Sequence, residues 1–207
     1  MGAIEKPADE LLQDFAKATA DHKQELIRDP ATIFKFATYD IDYIASGLES
    51  PIRALNRMLF VQYFSAMEAY LSDRLIKVVM DETAAMSALV KNNKEWSGEK
   101  IPVTELAANP AAYRDWVLTR LRELPYHNFV KIDNYYRGAL GFTIFPNKLV
   151  KATLMAFLPV RHDCVHRYGY DHEGQERSIS KDDLAELEKA AEAMVEHIEA
   201  AFAQRPT

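Results

Sequence analysis

The sequence predicts an all-α protein, an antiparallel bundle of helices with short connections. Apolar residues recur every three or four positions along most of the chain, which is the period of an amphipathic helix. Only 7 of the 207 residues are glycine, and no segment shows the strict alternation of a half-buried strand. The length suits one domain with its own core. We expect residues 1–50 to form a helical arm packed on the same domain, and residues 51–207 to form the main bundle.

The arm is predicted to contain two helices. Pro7–Arg28 has a moderate amphipathic pattern and ends at Asp29-Pro30, because the residue before a proline avoids the helical region. The second helix runs from about Ala31 to Ser46, and Gly47 is a typical stop signal.

The longest predicted helix begins at Ser50-Pro51, since serine caps helices and proline fits their first position. Its apolar stripe continues in steps of three or four residues to about Asp81. The stripe comprises Leu55, Leu59, Tyr63, Met67, Tyr70, Leu71, Leu75, Val78 and Val79. Residues 92–103 are polar and contain Gly98 and Pro102, so they are predicted to form a loop.

Two helices are predicted in the next segment. Asn109-Pro110 begins a helix that continues to Leu124, and a shorter one runs from about Asn128 to Leu140. Their aromatic side chains are expected in the core, although such rings also stack nucleobases. These residues are Tyr126, His127, Phe129, Tyr135 and Tyr136. The methionines expected in the core are Met58, Met67 and Met155.

The last two predicted helices have clear capping residues. Asn147 caps the first of them, and Gly169 is its expected C-terminal cap. Pro159 lies inside this helical pattern, where it must kink or restart the helix because it has no N–H to donate. Ser180 and Asp183 form a capping-box variant that begins the final helix.

Composition and charge exclude several classes of protein. The single cysteine excludes a disulfide framework and a Cys-rich zinc module. The longest nearly apolar run, residues 152–160, is too short to span a bilayer, and the charged N-terminus lacks the apolar region of a secretory signal. We therefore expect a soluble cytoplasmic protein without a membrane partner. The net charge of −6 opposes nonspecific coating of nucleic acid.

One stretch of the acidic chain is locally basic. Residues 147–181 contain six Lys or Arg against four Asp or Glu, together with three of the six histidines. Such a strip can bind a phosphate, and ordinary charge scatter on a solvated face is the alternative interpretation.

Within this strip, the segment Arg161–Gly169 reads R-H-D-C-V-H-R-Y-G. His162 and His166 are four residues apart, so on a helix their side chains share a face. Arg161 lies about 140° around the helix from His166 and borders that face. The alternative interpretation is a solvated helix end in which Asp163 forms an ion pair.

This segment resembles the signature of the HEPN superfamily, whose helical domains carry R-x4-6-H on the penultimate core helix. Here the motif is Arg161-x4-His166. The sequence M-E-A-Y-L around Glu68 is similar to the family's early core helix, and the resemblance covers about residues 53–202. The chain departs from the family pattern at His162, where asparagine is common, and at Pro159.

The resemblance implies a HEPN-like bundle that dimerises and cleaves RNA without a metal or other cofactor. His166 would act as base or acid in the attack of a ribose 2′-OH on the adjacent phosphate, and Arg161 would neutralise the charge that develops. His162 would orient His166 or touch a phosphate. Asp163 would hold Arg161 or Arg167 in place. Glu68 would either reach Arg161 or point to solvent.

The form Arg161-x4-His166-x-Tyr168 is similar to that of HEPN toxins silenced by a paired nucleotidyltransferase, in which the tyrosine is modified. The resemblance therefore implies a toxin or phage-defence effector, with Tyr168 as a regulatory acceptor and an antitoxin as a partner.

Two alternatives stay open. The first is a non-catalytic HEPN-like module that binds nucleotide, RNA or a protein. The second is a metal site, because His162 and His166 have metal-ligand spacing and Asp163 or His172 would supply the third ligand. Cys164 is expected to be a small buried residue, not a nucleophile.

Overall fold

The structure, a computed structural model, describes residues 29–47 and 52–205. Within these two ranges it contains α-helices and no β-strand, so the all-α prediction is confirmed. The helices are α1 (Pro30–Ser46), α2 (Arg53–Asp81), α3 (Thr83–Asn92), α4 (Val103–Ala108), α5 (Ala112–Arg122), α6 (Phe129–Leu140), α7 (Lys148–His166) and α8 (Lys181–Ala203). None of the helices in the described part of the chain is long and apolar enough to cross a membrane.

Helix α2 is the centre of the bundle, and α1 lies antiparallel to it. Near the start of α1, Phe34 contacts the ring of Tyr70 with centroids 5.9 Å apart. Near its end, Asp42 accepts a hydrogen bond from Tyr63. The part of the predicted arm that the structure describes therefore packs on the bundle. The predicted helix Pro7–Arg28 lies outside the described residues.

Helix α8 lies parallel to α2. Asn56 Nδ2 donates to the carbonyl of Ile179, just before α8, at 2.8 Å. Further along both helices, the Tyr70 hydroxyl donates to Glu199 at 2.6 Å. Helix α7 connects to α8 by residues 167–180 and fills the remaining side of α2, so that α1 and α7 run opposite to α2 and α8.

The predicted apolar stripe of α2 is buried, apart from Leu55, which is partly buried. Tyr126, Phe129, Tyr135 and Tyr136 also lie in the core, whereas His127 is exposed. Met67 is fully buried, but the prediction for Met58 is wrong because its side chain is 67% exposed. Met58 lies on the side of α2 that faces the C-terminal end of α7.

The predicted caps Asn147 and Ser180 are confirmed, and Asn128, which was predicted only as the approximate start of its helix, caps in the same way. The side chains of Asn128, Asn147 and Ser180 accept from the backbone N–H three residues ahead. Ser180 and Asp183 complete a capping box. Ser50 lies outside the described residues.

The prediction that Asn109 caps a helix is wrong. Helix α5 begins at Ala112, because the Asn109 side chain accepts from the N–H of Ala111 in a turn that precedes the helix. Helices α3 and α4 were not predicted. Neither has a side-chain hydrogen bond at its N-cap, and α4 buries no residue, so both lack the usual signals.

Helix α7 continues through Pro159 to His166 as one element. A restart of the helix at this proline, one of the two expected outcomes, therefore does not occur. The residues of the predicted site consequently occupy the last turns of a helix that begins at Lys148.

Candidate functional site

The candidate site lies where the C-terminal end of α7 runs along the N-terminal half of α2. Arg161 on α7 faces Glu68 on α2, with its Nη2 2.9 Å from Glu68 Oε1. Both side chains are mostly buried, at 16% and 21% exposure. Of the two alternatives for Glu68, the ion pair with Arg161 is therefore the one that forms. Arg161 Nε is buried and has no hydrogen-bond partner among the described residues.

His162 and His166 lie together on an exposed face of the same helix. Their ring centroids are 4.7 Å apart and the ring planes are inclined by 49°. The spacing that predicted a shared face is thus realised as direct contact between the imidazoles. Because both residues are exposed, their ring nitrogens are accessible to a substrate.

Asp163 points away from the imidazoles and is only 3% exposed. One carboxylate oxygen accepts from Arg177 Nε at 2.9 Å, and the other lies 3.4 Å from Arg167 Nη1. The hydrogen bond that Arg177 donates to Asp163 raises the pKa of Arg177. Asp163 therefore holds Arg167, one of its two predicted partners, while Arg161 is held by Glu68 instead.

Asp163 also fixes the end of the helix to the following loop through its backbone carbonyl. The Asp163 carbonyl accepts from the N–H groups of Arg167 and Gly169, both at 2.9 Å. Since its side chain is occupied by guanidinium groups, Asp163 is a poor third ligand beside His162 and His166. No cluster of three or more His, Cys, Asp or Glu suited to a metal is found within residues 29–47 and 52–205.

Tyr168 and Gly169 form the turn that leaves α7. Both have positive φ angles, 55° and 85°, and Gly169 requires its lack of a side chain because a Cβ there would lie 2.5 Å from Arg57 Cδ. The Arg57 guanidinium lies 5.4 Å from the centroid of the Tyr168 ring and pairs with Glu176 at 2.7 Å. Tyr168 is nevertheless 77% exposed.

A cavity of 420 Å³ opens between α2 and α7 beside these residues, and we call it the α2–α7 groove. Its lining residues are Ala54, Arg57, Met58 and Val61 from α2, and Cys164, Val165 and Tyr168 from the end of α7. Burial raises the pKa of the Cys164 thiol, which keeps it protonated at neutral pH and agrees with a packing role.

Sequence reasoning missed the contributions of Arg57, Met58 and Arg177. Each depends on a contact between segments more than ten residues apart, and no local pattern marks it. For Met58 one signal was available, because this residue does not belong to the predicted apolar stripe of α2.

No protein-family model, curated protein or solved structure matches the chain. The similarity to the HEPN superfamily therefore stays a prediction based on the Arg161–Gly169 segment.

Proposed function

We propose that the protein is a metal-independent endoribonuclease of HEPN type that acts as a toxin or phage-defence effector. The observation that supports this function best is the exposed pair of imidazoles, His162 and His166, in contact on the helix that also carries Arg161. Two accessible imidazoles and a guanidinium are the groups that phosphodiester cleavage by an internal hydroxyl requires.

The reaction begins with the ribose 2′-OH. As its oxygen attacks the adjacent phosphorus, its proton passes to the exposed imidazole of His166, because histidine is the side chain that most often serves as a general base. The bond from phosphorus to the 5′-oxygen of the next nucleotide breaks, and that oxygen takes a proton from an acid. The products are a 2′,3′-cyclic phosphate and a 5′-OH. A well-placed group of this kind typically contributes about 10²–10⁴ in rate.

The other site residues support this step. Arg161 neutralises the charge that builds up on the phosphorane oxygens, and Glu68 orients its guanidinium. His162 contacts His166 and orients it, or contacts a neighbouring phosphate. Asp163 acts at a distance, because it fixes the helix end through Arg167 and Arg177.

The active form in this proposal is a homodimer bound to RNA. A two-fold axis beside the exposed imidazole face would bring His162 and His166 of both copies into one cleft. An acidic chain with a locally basic strip would then bind RNA through two such strips at once.

Tyr168 is the proposed point of regulation. Its 77% exposure leaves the side chain open to a modifying enzyme. A nucleotide or phosphate group attached there by a paired nucleotidyltransferase or another antitoxin would place negative charge two residues from His166 and repel RNA.

A second candidate is a non-catalytic module that binds nucleotide, RNA or a protein. The ion pair between Arg161 and Glu68 favours it, since a guanidinium already paired with a carboxylate has less capacity for a phosphate. Because both candidates use the same fold, a measurement of RNA cleavage is needed to distinguish them.

The test is cleavage of total RNA in EDTA by the wild-type protein, by His166→Ala and by His127→Ala. His127 is an exposed histidine outside the site and serves as the matched control. We expect the wild type and His127→Ala to cut alike, and His166→Ala to lose about 10²–10⁴ in rate.

Other outcomes have definite meanings. Binding of RNA without cleavage would favour the module. Cleavage that EDTA abolishes would favour a metal site. Equal cleavage by all three proteins would mean that His166 is not the acid–base group.

A further inference from the structure

Tyr168 has an unusual backbone conformation for its residue type. A φ of 55° places a bulky non-glycine residue in the left-handed region, and among the described residues it is the single case. Such conformations are strained and persist where the surrounding structure enforces them, which is common at ligand sites. Here Tyr168 precedes Gly169, and the Arg57 side chain lies against both residues.

In this conformation the aromatic ring of Tyr168 is exposed to solvent. One side of the ring has the Arg57 guanidinium 5.4 Å from its centroid, and the side chain is 77% exposed. The two neighbouring apolar side chains of the groove, Met58 and Val165, are 67% and 42% exposed. Three exposed apolar groups thus surround one concavity.

The shape and chemistry of the α2–α7 groove fit a small flat ring. Its volume of 420 Å³ lies within the range of about 300–1,000 Å³ typical of small-molecule sites. Met58, Val61 and Val165 give it apolar walls, and the ring of Tyr168 stands at its opening. Aromatic side chains of this kind stack nucleobases with little dependence on base identity.

The charge at the rim of the groove suits a phosphate-linked ligand. Arg53 Nη1 lies 3.1 Å from one carboxylate oxygen of Glu176, and Arg57 Nη1 lies 2.7 Å from the other. Two guanidinium groups therefore share one carboxylate and leave one positive charge in excess. The Arg53 side chain is 77% exposed, so it is accessible to a phosphate.

The groove adjoins the proposed catalytic face. Val165 and Tyr168 flank His166 along the chain, and His166 lies on the adjoining exposed face of the helix. We propose that the α2–α7 groove is a nucleobase subsite, in which one base of single-stranded RNA stacks on the free face of Tyr168 between Met58 and Val165. This proposal rests on the proposed function, because it assigns a position to the nucleotide beside the scissile phosphate.

The experiment measures binding separately from cleavage. The probes are fluorescently labelled 2′-O-methyl homo-oligomers of A, C, G and U, which cannot undergo 2′-OH attack, and an abasic oligomer of equal length and charge. Fluorescence anisotropy at one fixed salt concentration gives the Kd of each probe. The variants are Tyr168→Ala, Tyr168→Phe and Tyr170→Ala, the last as a matched control because Tyr170 is an exposed tyrosine outside the groove lining.

We expect the wild type to bind at least one base-bearing oligomer more tightly than the abasic one by about 5- to 150-fold, the range for stacking of one base. Tyr168→Ala should abolish this preference. Tyr168→Phe and Tyr170→Ala should retain it. His166→Ala should also retain it while losing cleavage, which separates the subsite from the catalytic step.

Three results would overturn the subsite. The first is the absence of any preference of the wild type over the abasic oligomer. The second is a preference that survives Tyr168→Ala. The third is a Tyr168→Ala variant whose oligomeric state changes while its preference stays the same. The last result would identify the groove as a contact between copies of the chain. A preference that depends on Tyr168 in a protein without cleavage activity would support the subsite and contradict the nuclease.

Discussion

Two regions of the molecule differ in the groups that surround their carboxylates. Around the candidate site, each carboxylate meets a guanidinium. Asp163 pairs with Arg177, Glu68 with Arg161, and Glu176 with Arg57, at 2.7–2.9 Å. Where α1 and α8 meet α2, carboxylates instead face one another.

In this second region Glu188 and Glu192 on α8 lie near Asp42 on α1. Burial, followed by the hydrogen bond and charge of Asp42, raises the pKa of Glu188 to about 7. Burial also raises the pKa of Glu192. The Tyr63 hydroxyl is the hydrogen-bond donor to Asp42, and Lys35 and Lys189 partly offset the negative charge.

This difference determines how a carboxylate in each region affects the free energy of unfolding. At the site, removal of one carboxylate strands a guanidinium and destabilises the fold. Between α1 and α8, removal of one carboxylate relieves repulsion and stabilises it. Removal of a carboxylate should therefore change the free energy of unfolding with opposite signs in the two regions.

The largest effect is expected for Asp163→Ala. Breaking a buried ion pair by removal of one partner costs about 3–5 kcal/mol, and the partial exposure of Arg167 and Arg177 reduces this to about 2–4 kcal/mol. Urea unfolding followed by circular dichroism measures the loss. Asp163→Asn keeps an acceptor oxygen and should lose less; equal stability of Asp163→Ala and wild type would contradict the assigned role.

Gly169→Ala should destabilise the protein by about 1–3 kcal/mol. Its φ of 85° disfavours any side chain, and the new Cβ would lie 2.5 Å from Arg57 Cδ. Gly98→Ala is the control, since a Cβ there has open space and no positive φ, and it should stay within about 0.5 kcal/mol of wild type. Equal thermal shifts for the two variants would be inconsistent with a site-specific constraint.

Tyr63→Phe tests the donor in the second region. It removes the hydrogen bond to Asp42 and leaves the ring in place, so we expect a loss of about 1 kcal/mol. The loss should be greatest above the pKa of about 7 of Glu188, where Glu188 no longer carries a proton to donate to Asp42. A variant as stable as the wild type at pH 8 would show that this hydrogen bond contributes nothing to the folded state.

The smallest effect, and the one of opposite sign, is expected for Glu188→Gln. Folding raises the pKa of Glu188 from 4.5 to about 7. Between these two pH values the folded state binds more protons than the unfolded state, so the free energy of unfolding falls as the pH rises. Glu188 is only partly buried, so screening by solvent limits the gain at pH 8 to about 0.5–1 kcal/mol. Unfolding at pH 5 and pH 8 measures it, and Glu186→Gln, outside the cluster, is the control.

The parts of the fold that depend on short-range interactions were predictable. Asn128, Asn147 and Ser180 cap their helices because a side-chain oxygen reaches an N–H only three residues away. The prediction for Asn109 was wrong because its side chain accepts a short-range hydrogen bond from the N–H of Ala111, which forms a turn and not a helix cap. Helix α3 lacks a capping side chain and was missed.

The candidate site likewise combines features that depend on short-range spacing with features that depend on tertiary packing. The contact between His162 and His166 follows from helical spacing alone, and the pairing of Glu68 with Arg161 was one of two stated outcomes. The α2–α7 groove and the pairing of Asp163 with Arg177 depend on which helices become neighbours. Tertiary packing decides this, so no local pattern could place Arg57 beneath Tyr168.

Pro159 has a consequence for the exchange of amide hydrogens with solvent. A proline has no amide hydrogen, so the carbonyl of Met155 lacks its usual partner four residues ahead, although α7 continues to His166. The last turns, which carry Arg161 and His166, are therefore tied to the rest of the helix by one hydrogen bond fewer. We therefore expect residues 160–166 to open separately from the rest of the helix, and their amides to exchange faster than those of residues 152–158.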